Sequence, residues 1–130
     1  EDSFVVKDPV ELFVVQNVVL DGLMYPLVYD TIIDDVLSSQ GGTPVAMLTQ
    51  FMTDWFAETK KWSDATVKIA AAESAENKQI LAQWLTEWRD RAASALLPVA
   101  RIALGDRTDA VMADVVQQFN ARMAKAGVAI

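Results

Sequence analysis

From Pro9 onward the chain is written in long helical runs separated by short polar breaks. Residues 9–37 are predicted to open a helix with Asp8 as N-cap, Pro9 at the first position and Glu11 in the first turn. The run "VELFVVQNVVLDGLMYPLVYDTII" is apolar on nearly every face, the pattern of a helix buried on several sides. Pro26 has no N–H, and its ring presses on the carbonyl of Gly22, so a kink is predicted there. The break "SSQGGTP" stops this helix at Gly41 and Gly42, and Pro44 opens the next.

Between Val45 and Ala72, residues Val45, Leu48, Met52, Trp55, Thr59, Trp62, Thr66 and Ile69 recur every three or four positions, which predicts an amphipathic helix with that stripe inward. Ser74 is placed to cap a third helix, whose inner face would carry Ile80, Leu81, Trp84, Leu85, Trp88, Ala92, Leu96, Val99 and Ile102. Glu87 and Arg91 fall outward as an i,i+4 pair, Pro98 bends or shortens the helix, and Gly105 ends it. A fourth helix runs from Asp109 to about Ala126, led by Thr108 and stopped by Gly127, with Val111, Val115, Phe119 and Met123 inward. No stretch alternates as a strand does, so the expected fold is all-α, with four main helices in a single domain over residues 1–130.

Composition narrows the chemistry more than the fold. With 130 residues, 52% of them hydrophobic and 22% charged, the chain can bury a sizeable core. A net charge of −7 argues against nucleic acid or an anionic membrane as partner. The longest charge-free stretches of the first helix, Leu12–Leu20 and Gly22–Tyr29, fall short of a membrane span. Cysteine is absent, which removes disulfides and thiolate chemistry and fits a reducing cytoplasm. Histidine is absent too, so no Ser-His-Asp triad, no H-E-x-x-H zinc site and no E-x-x-H di-iron motif can be assembled from these residues. An all-oxygen site for a hard cation is left open. The start "EDSFVVKDPVE" reads as the middle of a longer or processed polypeptide, and it has no signal-peptide pattern.

Three sets of residues compete for function. Asp54 and Glu58 sit four apart, the spacing of carboxylate-bridged metal sites in bundles. At about 100° per residue they lie about 110° and 70° from the helix stripe, which favours a solvated or interface edge paired locally with Lys60 or Lys61. Asn17 and Asp21 share one face of the apolar first helix, so Asp21 is expected to meet a hydrogen-bond donor or an arginine from another element. Trp55 with Trp62, and Trp84 with Trp88, are read as core or subunit-interface residues rather than a cofactor platform.

The blocks "QNVVLDGL" and "VAMLTQFMTDW", within a match spanning Glu1 to about Gly105, closely resemble the C-terminal part of the β subunit of soluble bacterial multicomponent di-iron monooxygenases of the phenol hydroxylase and propane monooxygenase type. The resemblance implies a ferritin-like helical bundle, of which this chain is one part. It implies a non-catalytic structural subunit supporting an α subunit that carries the di-iron centre and hydroxylates an aromatic or small alkane substrate with O2. Implied partners are that α subunit, a γ subunit where present, and a regulatory protein. FAD and a 2Fe–2S cluster belong to the reductase, and no cofactor is expected in this chain. Against the catalytic paralogue, Asp21 stands at the place of a Glu ligand, Trp55 at the Glu and Glu58 at the His of an E-x-x-H pair, so indole is expected to fill the site. The family's β subunits are longer, and the piece is expected to expose apolar surface, above all on the first helix, and to self-associate or be covered by a missing segment or partner. Two other readings remain: a free-standing helical module that binds or regulates a partner, and a degenerate ferritin-like enzyme with an all-carboxylate site at Asp21, Asp54 and Glu58.

Overall fold

The computed structural model describes residues 2–130, which form four helical rods joined by short turns. The first rod is composite. Pro9–Phe13 (α1) and Asp21–Tyr25 (α2) are α-helical, while Val14–Leu20 (π1) and Pro26–Gly42 (π2) carry the wider π hydrogen bonding. Thr43–Glu73 (α3), Ala75–Leu104 (α4) and Thr108–Lys125 (α5) follow. Short 3-10 turns cover Asp2–Val5 and Gly105–Arg107.

The punctuation follows from the residue types. Asp8 caps α1 as expected, its carboxylate accepting from the N–H groups of Val10 at 2.7 Å and Glu11 at 3.2 Å. Ser74 is extended and separates α3 from α4, and its hydroxyl accepts from the N–H of Asn77 at 3.0 Å. Gly41 turns the first rod into α3 with φ of 90°. At the C-terminus Gly127 adopts φ of 91° while the Val128 N–H returns to the Met123 carbonyl at 3.0 Å, closing α5 in a Schellman arrangement.

Pro26 acts differently from the predicted kink. Backbone torsions stay helical through it (φ −61°, ψ −39°), and the hydrogen-bond register passes from α to π. π geometry relaxes the crowding that a proline ring creates one turn back. The Thr31 hydroxyl donates to the Pro26 carbonyl at 3.1 Å. Pro98 neither shortens nor ends its helix, and α4 runs through it to Leu104.

Side-chain pairs across the rods set the topology. Phe13 meets Trp62, Tyr25 meets Phe56 and Asp30 meets Thr53, so the first rod and α3 run antiparallel. Arg89 with Asn120 and Thr108 with Ala100 make α4 and α5 antiparallel in turn. The result is an up-down-up-down bundle, the order that short turns impose.

One core joins all four rods: Val14, Val15, Val18, Val19, Leu23 and Leu27 meet Val67, Leu81, Leu85, Trp88, Met112, Val115, Phe119 and Met123. The inner faces of α4 and α5 agree with expectation around Leu81, Leu85, Trp88, Val115, Phe119 and Met123, although Ile80, Val99 and Ile102 are exposed. The helical stretch Pro9–Glu73, which includes the turn at Gly41, does hold a window long and apolar enough, by length and composition, to cross a membrane, which the charge-free runs alone did not reveal. Its mean hydropathy is 1.4 and 44% of it is buried in the bundle.

The inner face of α3 is not the expected stripe. Phe56, Ser63, Val67 and Ala71 are buried, whereas Val45, Leu48, Phe51, Trp55, Trp62 and Ile69 are 43–75% exposed. The first rod, expected to expose the most apolar surface, buries its centre instead. Helical period locates an apolar stripe but cannot say which of two flanking surfaces it serves, and here Ser63, Val67 and Ala71 face the core together with Phe56.

Candidate functional site

The polar centre of the bundle is Arg122 on α5. It is reached from three directions by groups that share no sequence motif. Its Nε donates to Asp64 Oδ1 at 2.6 Å, one terminal nitrogen to the Ser63 hydroxyl at 3.0 Å, and the other to the Val18 carbonyl at 3.5 Å. Ser63 and Asp64 lie on α3, Val18 on π1, so one guanidinium ties three rods together. Its planar face also lies 5.8 Å from the centre of the Phe56 ring, which Tyr25 stacks at 4.9 Å.

Asp21 and Gly22 complete this centre. Gly22 brings α2 so close to α5 that a Cβ would stand 2.8 Å from the Arg122 guanidinium and 3.0 Å from the Phe119 ring. Gly22→Ala sets a helix-propensity gain of about 1 kcal/mol against overpacking that costs about 1–3 kcal/mol. A net loss of about 1 kcal/mol is expected by chemical denaturation; a more stable variant would show that α5 yields.

Asp21 is half-buried, and its charge is answered by Arg122. The expected arginine is therefore present, yet its direct ion pair goes to Asp64. Burial raises the Asp21 pKa above its ordinary 3.8, and the positive charge of Arg122 opposes that rise. A raised folded-state pKa means the native state holds the proton longer than the unfolded chain. Stability at this site is therefore greatest below pH 3.8 and declines as pH climbs through the raised value. Asp21→Asn is accordingly expected to raise the melting temperature at pH 7, with the difference from the native chain shrinking toward pH 3.5. A lower melting temperature at pH 7 would mean that the attraction to Arg122 outweighs the burial.

The remaining expected residues scatter. Asn17 is half-buried on π1. Asp54 is exposed, and Glu58 is exposed and paired with Lys61 at 2.6 Å, the local pairing its position suggested. Trp55 lies on the outer side of α3, 64% exposed in this bundle. Trp62 is 48% exposed and packs on Phe13 at 5.5 Å. Trp84 packs half-buried against the core. Trp88 is buried and donates its indole N–H to Glu11 at 2.8 Å, while Arg91 covers its face at 4.9 Å.

Among the described residues no three acidic side chains are grouped as a metal site would require, so Asp21, Asp54 and Glu58 do not converge. With no histidine in the chain, its donor set does not fit a di-iron centre. Sequence reasoning found Asp21 but missed Arg122, Ser63, Asp64 and Gly22. A small polar pair and a glycine inside otherwise ordinary helices were the available signals.

A second feature flanks Arg122: a half-open cleft of about 510 Å3 between α3 and α5. Phe56, Phe119 and Ala65 contribute apolar walls, and Lys60, Lys68 and Lys125 stand at its rim.

The bundle and its sequence belong together to one class. Residues 1–74 match the Methane/Phenol/Alkene Hydroxylase family, and the chain belongs to that family. It is 45% identical over 127 residues to the phenol 2-monooxygenase oxygenase component DmpL of Pseudomonas sp. (strain CF600), covering 98% of this chain and 37% of the relative. It is 44% identical over 104 residues to the oxygenase component MhpL of Acinetobacter pittii (strain PHEA-2), covering 80% of this chain and 31% of that protein. The crystal structure of xenon-pressurized phenol hydroxylase from Pseudomonas sp. OX1 superposes with a TM-score of 0.90 at 39% identity, over 99% of this chain and 38% of that one. The chain thus spans about a third of the length of the relatives it matches.

Proposed function

We propose that residues 1–130 are one helical domain, the C-terminal part of a longer β subunit in a phenol hydroxylase-type multicomponent monooxygenase. In this reading the chain is a cytoplasmic, non-catalytic scaffold for the α subunit that carries the di-iron centre. The γ subunit and the regulatory protein are further partners of the assembly. FAD and the 2Fe–2S cluster stay with the reductase, and the substrate is an aromatic or a small alkane.

The observation that carries this reading is the outward stripe of α3. Val45, Leu48, Phe51, Trp55, Trp62 and Ile69 form a face that is apolar yet uncovered in the bundle. Contiguous apolar faces of this kind mark surfaces that another element covers. The resemblance to the catalytic paralogue puts Trp55 and Glu58 where ligands face the inside of a completed bundle. The same face, exposed here, is therefore the one that the remainder of a longer subunit would cover. Two relatives named as oxygenase components, matched over most of this chain, support the assembly.

The test is co-expression of the full polypeptide carrying this stretch with the large subunit encoded beside it. Stoichiometric copurification with a subunit bearing two E-x-x-H motifs is expected. Failure to copurify with any such subunit would overturn the reading.

A further inference from the structure

The cleft beside Arg122 runs counter to the charge of the whole molecule. The chain has 18 acidic and 11 basic residues, yet Lys60, Lys68, Arg122 and Lys125 line this cleft with Asp64 as its one acid. Arg122 already neutralises Asp64 at 2.6 Å. Among the described residues Lys60, Lys68 and Lys125 make no ion pair, although Lys60 lies within electrostatic reach of Asp30 and 5.6 Å from the centre of the Phe56 ring. The lining therefore carries more positive than negative charge, against the sign of the whole chain.

Their spacing describes what would fit. Lys60 and Lys68 are eight residues apart on α3, about 12 Å along the helix, and the wall from Phe56 to Lys68 is about 18 Å long. Lys125 stands on α5 across the cleft, Phe56, Phe119 and Ala65 give it apolar surface, and the Asp64–Arg122 pair falls midway between Lys60 and Lys68. Cations strung along a groove with an apolar floor suit an elongated occupant rather than a compact ion. It would present carboxylates about two helical turns apart and apolar side chains beside them. At 100° per residue this side of α3 is turned roughly opposite to Leu48 and Trp55, so it is a second surface, separate from the apolar stripe.

We propose that the cleft between α3 and α5 seats an acidic, amphipathic segment of the α subunit. This rests on the assembly proposed above. A partner segment of that kind is repelled by most of this acidic surface and attracted at one place, which sets its register as well as its affinity.

The test uses the full-length chain and its α subunit, with association measured across a salt series. Lys60→Glu/Lys68→Glu/Lys125→Glu is expected to weaken association by about tenfold to hundredfold and to flatten its salt dependence. Lys7→Glu/Lys78→Glu/Arg101→Glu changes the net charge equally on exposed positions outside the cleft and should leave affinity within about twofold. The neutral variant Lys60→Gln/Lys68→Gln/Lys125→Gln should fall between the native chain and the reversed one, and it serves if charge reversal impairs folding. Unchanged affinity in the cleft variants would overturn the proposal while leaving the assembly intact. Lysine footprinting that finds Lys60 and Lys68 already protected in the unassembled full-length chain would also overturn it, because the chain would then fill its own cleft. No association of the native chain at any salt would overturn both the assembly and this inference.

Discussion

Phe51→Ser/Trp55→Ser is expected to leave the melting temperature of the 130-residue chain within a few degrees of the native value. The same change should weaken its association with the part of the DmpL relative that it does not span by about hundredfold. Both side chains are 64% exposed and neither belongs to the core cluster, so removing them costs the bundle little. At an interface the opposite holds. Large aromatics near the centre of a contact contribute about 1–2 kcal/mol each, and about 3 kcal/mol for the pair corresponds to roughly two orders of magnitude in Kd. Isothermal titration with the separately produced complementary polypeptide reads the effect directly. Equal affinity for the native and substituted chains would mean that the stripe on α3 is not where the longer subunit closes. Trp62 is left out of the pair because its contact with Phe13 would mix a folding effect into the binding measurement.

The second large effect belongs to stability. Arg122→Ala removes one side chain that serves Asp64, Ser63 and Val18 at once, and it also takes away the positive charge facing Asp21. Breaking a well-buried pair from one side costs about 3–5 kcal/mol, since the surviving charge stays buried without its partner. Arg122 keeps only 12% of its side chain exposed while Asp64 keeps 31%, so water relieves part of that loss and about 2–3 kcal/mol is expected. For a domain of this size that lowers the melting temperature by about 10 °C. A double-mutant cycle with Asp64→Asn separates the pair from the rest of the network. If Arg122→Ala costs less than about 0.5 kcal/mol, the centre is not held by this guanidinium.

The two effects act on different sides of the same helix, and their separation bears on function. α3 uses its small and aromatic residues Phe56, Ser63, Val67 and Ala71 to close the bundle and offers its larger apolar residues outward. A helix that kept Trp55 and Trp62 for its own core would offer a partner no large aromatic but Phe51. The exposure of this face supports the proposed scaffold role more directly than the absence of histidine does.

Much of this was legible in the residues. The boundaries of the rods followed from Asp8, Pro9, Gly41, Ser74, Gly105 and Gly127, because caps and left-handed turns are decided by the chemistry of one or two neighbouring residues. The centres of the inner faces of α4 and α5 followed from period, although Ile80, Val99 and Ile102 of the expected α4 stripe are exposed. The family, too, was carried by contiguous strings such as "QNVVLDGL", which need no fold to be recognised.

Tertiary structure decided the rest. Only packing could choose between the two usable faces of α3, because hydrophobicity favoured Trp55 while close approach of the rods favoured Ser63 and Ala71. Only packing could bring Arg122 to Asp64 and Val18, which lie 58 and 104 residues away along the chain. A local pattern reports what a residue prefers within a few turns of itself. The partner that satisfies a buried charge, and the surface left for another chain, are properties of how the rods meet.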